Sequence, residues 1–164
     1  HNFPISIQTK SALVLRDLDL IKPDNFDVGV TITTMDSGLA SRLEPRASRP
    51  EARASVLEEF ASRSVKTWIF LGPIIPYVND DEGGISQVID IAAKTKSRLL
   101  FDKLNLRPWV LESIRPFMES ECPGVWDRLS ELVGGKSDYW LNLSSLIRRI
   151  CAEKNVPCES AFPS

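Results

Sequence analysis

Histidine is almost absent from this chain, and its scarcity excludes several kinds of chemistry. The 164 residues contain one histidine, His1, which is terminal and is not a dependable general base or a basis for a histidine metal site. No apolar run approaches the roughly 20 residues that cross a bilayer, so no membrane span is expected. We see no signal peptide pattern, and the expected location is cytoplasmic.

Cysteine is scarce too, since Cys122, Cys151 and Cys158 form an odd set without a close pair. This spacing excludes a disulfide framework, and free cysteine usually packs as a small apolar side chain. We expect all three to be reduced and structural. An excess of one charge is also lacking, because 20 basic residues are balanced by 22 acidic ones. That balance excludes the strong basic field of a non-specific nucleic-acid binder.

The sequence does contain a regular succession of apolar strand segments, each followed by a polar cluster. The segments cover residues 3–8, 28–31, 67–71 and 99–101. Helical patterns separate them, so the four buried strands are expected to be parallel, with their carboxyl ends at one rim. Parallel α/β proteins bind their ligands at that rim.

The length of these units predicts part of a barrel. Each strand-helix unit spans about 30 to 40 residues, whereas a complete eight-fold (β/α) barrel needs roughly 250 residues. We therefore predict an α/β fold in which residues 1–107 form a partial TIM-type barrel of about four parallel strands. Residues 108–164 are predicted as a helical extension that packs on the barrel, with a short final strand near residues 156–158.

The connections between strands carry recognisable signals. Residues 12–20 are predicted as a short amphipathic helix, and residues 51–63 as a longer helix with Pro50 at its first position. The pair at residues 79–80 is expected to cap the helix after the third strand. Residues 72–76, with two prolines around two isoleucines, should not continue a central strand. They predict either a stiff apolar ledge for a flat ring or a rigid connection without a ligand.

Several polar residues are expected at the rim. Lys10 follows the first strand, where an ammonium can hold a carboxylate or phosphate or form a Schiff base. A solvent-facing loop lysine would have the same local sequence. Thr31 and Thr33 share one strand face, although threonine is also simply a good strand former. Arg107, at the end of the fourth strand, is a candidate for contact with an anion.

A further charged group surrounds a proline break in the second helical segment. It contains Glu44, Arg46, Arg49 and Arg53. Arginine can bind a carboxylate or phosphate through two parallel hydrogen bonds. A solvated helix face explains this group nearly as well, so both interpretations stay open.

Six motifs occur in an order that is specific as a set, although each alone is weak. They are Thr9-Lys10-Ser11, Arg16-Asp17-Leu18-Asp19-Leu20, Thr31-Ile32-Thr33-Thr34-Met35-Asp36, Leu43-Glu44-Pro45-Arg46-Ala47 with Arg53, Gly72-Pro73-Ile74-Ile75-Pro76 with Asn79-Asp80, and Leu104-Asn105-Leu106-Arg107. Together they resemble the later half of radical S-adenosylmethionine proteins of the spore photoproduct lyase and DNA repair photolyase group. The resemblance covers about residues 5–107 and, more loosely, the helical remainder.

The resemblance implies a partial TIM barrel that binds S-adenosylmethionine and, in the intact protein, a [4Fe-4S] cluster. Lys10 resembles the lysine that holds the methionyl carboxylate, and Thr31 resembles a hydroxyl residue that contacts the same ligand. The other residues that the resemblance assigns are Thr33 in the cofactor site, Glu44 and Arg53 near the amino-acid moiety, Pro73, Ile74 and Ile75 under the adenine, and Asn105 and Arg107 on the substrate side.

One departure from the family pattern is severe. The superfamily binds its cluster through Cys-x3-Cys-x2-Cys, and this spacing is absent here, while an iron-sulfur cluster needs protein thiolates. We therefore expect a fragment without the first two strand-helix units, which does not bind the cluster and is inactive alone. The intact enzyme would cleave its cofactor to a 5'-deoxyadenosyl radical and act on a substrate such as damaged DNA.

Two other functions fit the same residues. One is a Schiff-base lyase with Lys10 or Lys103 as nucleophile, and the other is a non-catalytic nucleotide-binding or interaction domain on a TIM-like scaffold. The strand edge at residues 3–9 is also expected to be unpaired. An unpaired edge is a template for pairing with another chain, which predicts either a homodimer through the first strand that partly completes a barrel or poor solubility.

Overall fold

The computed structural model describes residues 3–105, 107–134 and 138–161. Within them, five strands form one sheet in the order β1-β2-β3-β4-β5, and each neighbouring pair is parallel. The strands are β1 (Ile5–Thr9), β2 (Phe26–Thr31), β3 (Lys66–Ile74), β4 (Arg98–Lys103) and β5 (Cys158–Ser160). The helices are a 3-10 helix (Ala12–Asp17), α1 (Ser37–Leu43), α2 (Pro50–Ser62), α3 (Glu82–Thr95), α4 (Pro108–Glu121), α5 (Val125–Gly134) and α6 (Tyr139–Glu153). The predicted parallel α/β architecture with a helical carboxyl-terminal part is confirmed.

The main hydrophobic core lies between one face of the sheet and its helices. Val30 of β2, Ile69 of β3 and Phe60 of α2 are fully buried in it. Strands buried in this way read as nearly continuous apolar runs, which is why the sequence pattern revealed them. Ile147 of α6 belongs to the same core. The predicted division after residue 107 stays a prediction.

On the opposite face of the sheet, one aromatic ring lies over a glycine. A Cβ at Gly29 would stand 2.1 Å from Cε2 of Trp68, so only glycine leaves room for the indole. Trp68 Nε1 donates a hydrogen bond of 2.8 Å to the Asp27 carboxylate, which also accepts one from the Ser6 hydroxyl. The ring is thus held against the middle of this face.

A second, smaller hydrophobic cluster lies where β3 and β4 end. Its buried members are Ile75, Leu104, Met118 and Leu129. Helices α4 and α5 supply Met118 and Leu129, so they cover the carboxyl ends of these two strands. Arg42 of α1 lies 3.2 Å from Glu121 of α4 and adds an ion pair at the margin of the cluster.

Strand β3 is longer than predicted. The prediction that residues 72–76 cannot continue a central strand is wrong, because β3 runs on to Ile74. The pairing with β4 shifts register between Leu71 and Ile74. Such an irregularity leaves Pro73 out of the regular ladder, so its missing N–H breaks no strand hydrogen bond. The Gly72–Pro73 peptide bond is cis.

The first connection is also different from its prediction. Residues 12–20 do not form an α-helix; a 3-10 helix spans Ala12–Asp17. The Ser11 side chain accepts a hydrogen bond of 3.2 Å from the Leu13 N–H and starts a short, tight turn. Pro50 does occupy the first position of α2, as predicted. None of the described helices is both long and apolar enough to span a membrane.

Candidate functional site

The ends of β1 and β2 meet the α1–α2 connection at three charged side chains, Lys10, Glu44 and Arg53, which we call the rim triad. Lys10 Nζ lies 2.6 Å from Glu44 Oε1, and Arg53 Nη2 lies 2.7 Å from Glu44 Oε2. Each carboxylate oxygen therefore has its own cation. The Lys10 side chain is 45% exposed, whereas the Arg53 side chain is 2% exposed.

Arg53 anchors this site to the sheet. Its Nε donates a hydrogen bond of 2.7 Å to the Ser48 carbonyl, and its Nη1 donates one of 2.8 Å to the Thr31 carbonyl. Because α2 begins at Pro50, Arg53 lies in the first turn of the helix, next to the end of β2. One buried guanidinium thus joins the end of a strand, the start of a helix and the Glu44 carboxylate.

The electrostatic balance of the triad keeps Glu44 ionised. Burial favours the neutral acid, but hydrogen bonds and charges from Lys10 and Arg53 outweigh burial and hold the pKa of Glu44 below its usual value. Two cations around one carboxylate leave a net positive charge. An incoming anion is therefore attracted to the half-exposed Lys10. An ammonium group can approach Glu44 favourably only when it arrives together with such an anion, as it does in an amino acid.

Two cavities open beside the triad. The first, of about 430 Å³, is lined in part by Glu44, Arg49 and Arg53. The second, of about 450 Å³, is lined in part by Lys10, Glu44 and Arg46. Both volumes lie within the range of about 300–1,000 Å³ that is usual for small-molecule pockets. Members of the charged group around the proline break thus line both cavities, while Arg46 and Arg49 are themselves exposed. A ligand role for this group stays a prediction.

The two predicted threonines differ in their hydrogen bonding. The Thr31 hydroxyl accepts a bond of 3.1 Å from the Gln8 side-chain amide. Thr33 is 3% exposed, and its hydroxyl has no hydrogen-bond partner within the described part of the chain. A buried hydroxyl without a partner is costly, and a bound group that reaches it would complete the network.

The predicted ledge is placed partly inside the protein. Pro73 is half-buried, and Ile74 is fully buried in the main core. Ile75 is 5% exposed and belongs to the second cluster. The surface that this segment can offer to a ring is therefore Pro73 and the adjacent backbone, and the contact with adenine stays a prediction.

Asn79 has a role that the sequence reasoning missed. The prediction that the pair at 79–80 caps the next helix is wrong, because Asp81 is the N-cap of α3 and its carboxylate accepts a bond of 2.8 Å from the Gly84 N–H. Asn79 is instead buried at 4% exposure. Its amide bonds the backbone of three residues, Thr33, Pro73 and Ile75.

The predicted substrate-side residues, Asn105 and Arg107, lie where α4 begins. The Arg107 N–H donates a hydrogen bond of 3.2 Å to Asn105 Oδ1, and both residues are exposed. The residue between them lies outside the described part of the chain. The structure links Lys10 to the Thr31 carbonyl through Glu44 and Arg53, whereas Arg107 lies at the β3–β4 side of the rim.

Asp102 is a titratable residue at the rim that sequence reasoning did not single out. It lies near the end of β4 and close to Gly72. A Cβ added at Gly72 would stand 3.1 Å from the Asp102 carbonyl oxygen, so the two backbones approach closely here. Burial raises the pKa of Asp102 above its usual value. The available signal in the sequence was a carboxylate directly after the apolar run Leu99–Phe101.

Lys103 was the alternative nucleophile of the Schiff-base hypothesis. Its Nζ lies 5.5 Å from the Trp140 ring centroid.

The cysteines do not fit an iron-sulfur cluster. All three are free, Cys151 is buried in the main core, and Cys158 packs against that core. Burial, followed by a hydrogen bond with Cys158, raises the pKa of Cys151 to about 12, which opposes the thiolate that a cluster needs. In the described ranges, no group of three or more His, Cys, Asp or Glu side chains is placed to hold a metal ion.

This fold matches part of the barrel of radical S-adenosylmethionine enzymes, with the rim triad at the carboxyl ends of its strands. A spore photoproduct lyase double mutant with bound AdoMet and dinucleoside spore photoproduct is similar at a TM-score of 0.69 and 14% identity. The match covers 98% of this chain and 51% of that chain. Streptococcus suis SuiB bound to S-adenosylmethionine is similar at a TM-score of 0.57 and 16% identity, over 96% of this chain and 32% of that one. The resemblance inferred from the sequence motifs is confirmed for the fold.

Sequence comparison gives a relative without an assigned activity. The chain is 30% identical over 147 residues to the uncharacterized protein MJ0683 of Methanocaldococcus jannaschii. The aligned region covers 89% of this chain and 53% of that protein. No family model matches the chain. The chain therefore spans about half the length of this curated relative and of spore photoproduct lyase.

Proposed function

We propose that this chain forms the S-adenosylmethionine-binding part of a radical S-adenosylmethionine barrel. The fold supports the proposal, as do the bound ligands named for spore photoproduct lyase and SuiB. In its complete form the barrel would act as a lyase on a substrate such as a DNA lesion. The proposal that the substrate is DNA is supported only by the similarity to spore photoproduct lyase. The net charge of -2 does not favour binding to nucleic acid.

The Lys10–Glu44 ion pair, at 2.6 Å, is the observation that carries the proposal. An α-amino acid presents a carboxylate and an ammonium on one carbon, and two opposite charges side by side complement both. The methionyl carboxylate would lie beside Lys10 Nζ, and the methionyl ammonium beside Glu44 Oε1. Arg53 remains on Oε2 and keeps Glu44 ionised and in place.

The chain's own residues bind and orient the ligand. When bound, S-adenosylmethionine supplies a sulfonium and an adenosyl group for radical chemistry. The cavities beside the triad receive the amino-acid end, and Pro73 with its neighbouring backbone supports the adenine. Because the described residues do not fit an iron-sulfur cluster, we propose that cluster ligands come from elsewhere and that this chain alone is inactive.

Calorimetric titration with S-adenosylhomocysteine tests the proposal, since this ligand keeps the amino-acid and adenosine parts. We expect the wild-type chain to bind it and Lys10→Met to bind about tenfold more weakly, the loss typical of one charge-assisted hydrogen bond. Lys94→Met is the matched control, because Lys94 also pairs with a carboxylate, Glu58, at 2.7 Å, and Lys94 does not line either cavity beside the triad. Equal affinities for wild type and Lys10→Met would contradict the proposal.

The Schiff-base alternative uses the same lysine differently. A nucleophilic lysine needs a free lone pair, whereas Lys10 is paired with Glu44 and Lys103 lies near the Trp140 ring. We therefore expect no covalent adduct when the chain is incubated with pyruvate and borohydride. An adduct mapped to either lysine by mass spectrometry would favour the lyase instead.

A partner is proposed through the edge of β1. The side chains of this strand are half-buried or exposed: Ile5, its first residue, is 43% exposed, and Phe3, just before it, is 70% exposed. A second copy of the chain could pair with this edge and cover both side chains. Light scattering should then show a dimer that Ile5→Lys converts to a monomer, while a wild-type monomer at high concentration would contradict the pairing.

A further inference from the structure

Asn79 connects two parts of the proposed cofactor site through its side-chain amide. Its Oδ1 accepts a hydrogen bond of 2.6 Å from the Ile75 N–H. Its Nδ2 donates to the Thr33 carbonyl at 2.8 Å and to the Pro73 carbonyl at 3.2 Å. The Nδ2 group faces two carbonyl oxygens, and Oδ1 faces one N–H. If the amide were flipped, its oxygen would face the two carbonyl oxygens and its NH2 group would face the Ile75 N–H, so this orientation is fixed. The end of β2 is thereby joined to the end of β3.

These bonds also determine which backbone groups the ledge leaves free. The Pro73 carbonyl and the Ile75 N–H are both occupied by Asn79. The Ile74 carbonyl accepts from the Leu104 N–H at 2.9 Å, and the Ile75 carbonyl accepts from the Val78 N–H at 3.1 Å. With its polar groups satisfied internally, the segment can present an apolar surface, which favours stacking of a flat base.

Other side chains fix the outer part of the same loop. The Arg128 guanidinium carbon lies 3.8 Å from the Tyr77 ring centroid, and Tyr77 has a positive φ of 64°. The Tyr139 hydroxyl donates a hydrogen bond to the Asp80 carboxylate. Two further helices thus hold the loop from outside, and Asn79 holds it from inside. A non-glycine residue with positive φ persists only where its surroundings determine the backbone strongly.

We propose that Asn79 is a positioning residue for the adenosine part of the ligand, which holds the Pro73–Ile75 segment at a fixed place relative to the end of β2. This inference rests on the proposed function. It assigns to Asn79 the adenosine end, whereas the rim triad recognises the amino-acid end. The two ends of one ligand are then controlled by different residues, and each can be changed separately.

The experiment uses three probes, adenosine, methionine and S-adenosylhomocysteine, titrated against the chain and followed by chemical-shift changes. Asn79→Asp keeps an acceptor for the Ile75 N–H but loses both donated hydrogen bonds. We expect it to weaken adenosine and S-adenosylhomocysteine about tenfold, because the released segment must be ordered again on binding, and to leave methionine within about twofold. Lys10→Met should weaken methionine and S-adenosylhomocysteine and leave adenosine unchanged.

Asp81→Ala is the matched control for stability. It removes the N-cap of α3 two residues away, so it should lower the melting temperature without changing any of the three affinities. Asn79→Ser, whose hydroxyl can take over one of the bonds, replaces Asn79→Asp should that variant not fold. It is expected to weaken adenosine less than tenfold.

The outcomes separate this inference from the proposed function. If Asn79→Asp weakens adenosine and methionine equally, or if Asp81→Ala weakens adenosine as much, Asn79 is only structural and the positioning role is overturned. If the wild-type chain binds S-adenosylhomocysteine and Asn79→Asp binds it equally well, the positioning role again fails while the proposed function stands. If the wild-type chain binds none of the probes, both fail.

Discussion

At the β1–β2 side of the rim the side chains meet through charges, whereas at the β3–β4 side they meet through apolar contacts. Lys10, Glu44 and Arg53 leave cavities beside them. Met118 and Leu129 pack with Ile75 and Leu104 where β3 and β4 end, and both are fully buried. The same edge of one sheet thus has an open polar part and a closed apolar part. The open part, beside β1 and β2, is the part that the proposed ligand site uses.

The largest expected effect tests the charged part. Arg53→Met removes one partner of a buried ion pair and leaves the carbonyls of Ser48 and Thr31 without their donor. We expect the free energy of unfolding to fall by about 3–5 kcal/mol, measured by urea denaturation. Arg63→Met is the control, because the exposed Arg63–Glu59 pair should contribute at most about 0.5 kcal/mol. Similar losses in both variants would refute the anchoring role.

The next effect tests the apolar part. Met118 is fully buried between α4 and the strand ends, so Met118→Ala should cost about 2–5 kcal/mol through lost burial and a cavity. If the two sides of the rim are independent, Met118→Ala and Arg53→Met should add within about 0.5 kcal/mol. A larger coupling energy in the double variant would show that the two sides of the rim are not energetically independent.

A smaller effect concerns the pH dependence of the triad. The folded-state pKa of Glu44 lies below the unfolded value of 4.5, so its contribution to stability is fully present above that value. It is lost as the pH falls through the lower, folded-state pKa. The difference in unfolding free energy between wild type and Glu44→Gln should therefore be largest near neutral pH and should narrow in acid. A difference that does not change between pH 7 and the acid limit of folding would contradict the pairing.

The smallest expected effect has the opposite sign and belongs to the other side. Burial raises the folded-state pKa of Asp102 above 3.8, so its ionisation opposes folding as the pH rises through that window. Asp102→Asn should raise the melting temperature at neutral pH and should have no such effect well below pH 3.8. Thermal scans at both conditions check this. Destabilisation at neutral pH would mean that the carboxylate has a favourable partner.

The sequence predicted the elements that depend on local pattern. Apolar runs located β2, β3 and β4, and parallel topology then placed Lys10 at the rim. Glu44 and Arg53 were assigned to the same site by the family resemblance, and the structure brings these two into contact with each other and Glu44 into contact with Lys10. The homodimer and the ligand roles of these residues remain predictions. The fold class followed from the same reasoning, because alternation of strands and helices needs no long-range information.

The sequence could not predict contacts that depend on distant segments. Asn79 bonds to Thr33, which lies 46 residues earlier, and its local pattern favoured the helix cap that Asp81 in fact provides. The irregular end of β3 was missed because proline rules assume a regular ladder, which the register shift removes. Helices α4 and α5 cover part of the rim because Met118 packs against the strand ends. Helical periodicity predicts that Met118 lies on an apolar face, but it does not predict which strands that face contacts.

The contact between Gly29 and Trp68 limits which substitutions can be accepted at these two positions during evolution. The two positions face each other in the pairing of β2 with β3, and they share a single space that one large ring already fills. A methyl group at position 29 demands a smaller neighbour at 68 in the same lineage. Distant descendants should therefore show correlated replacement at this pair of sites, with the summed volume conserved rather than either identity.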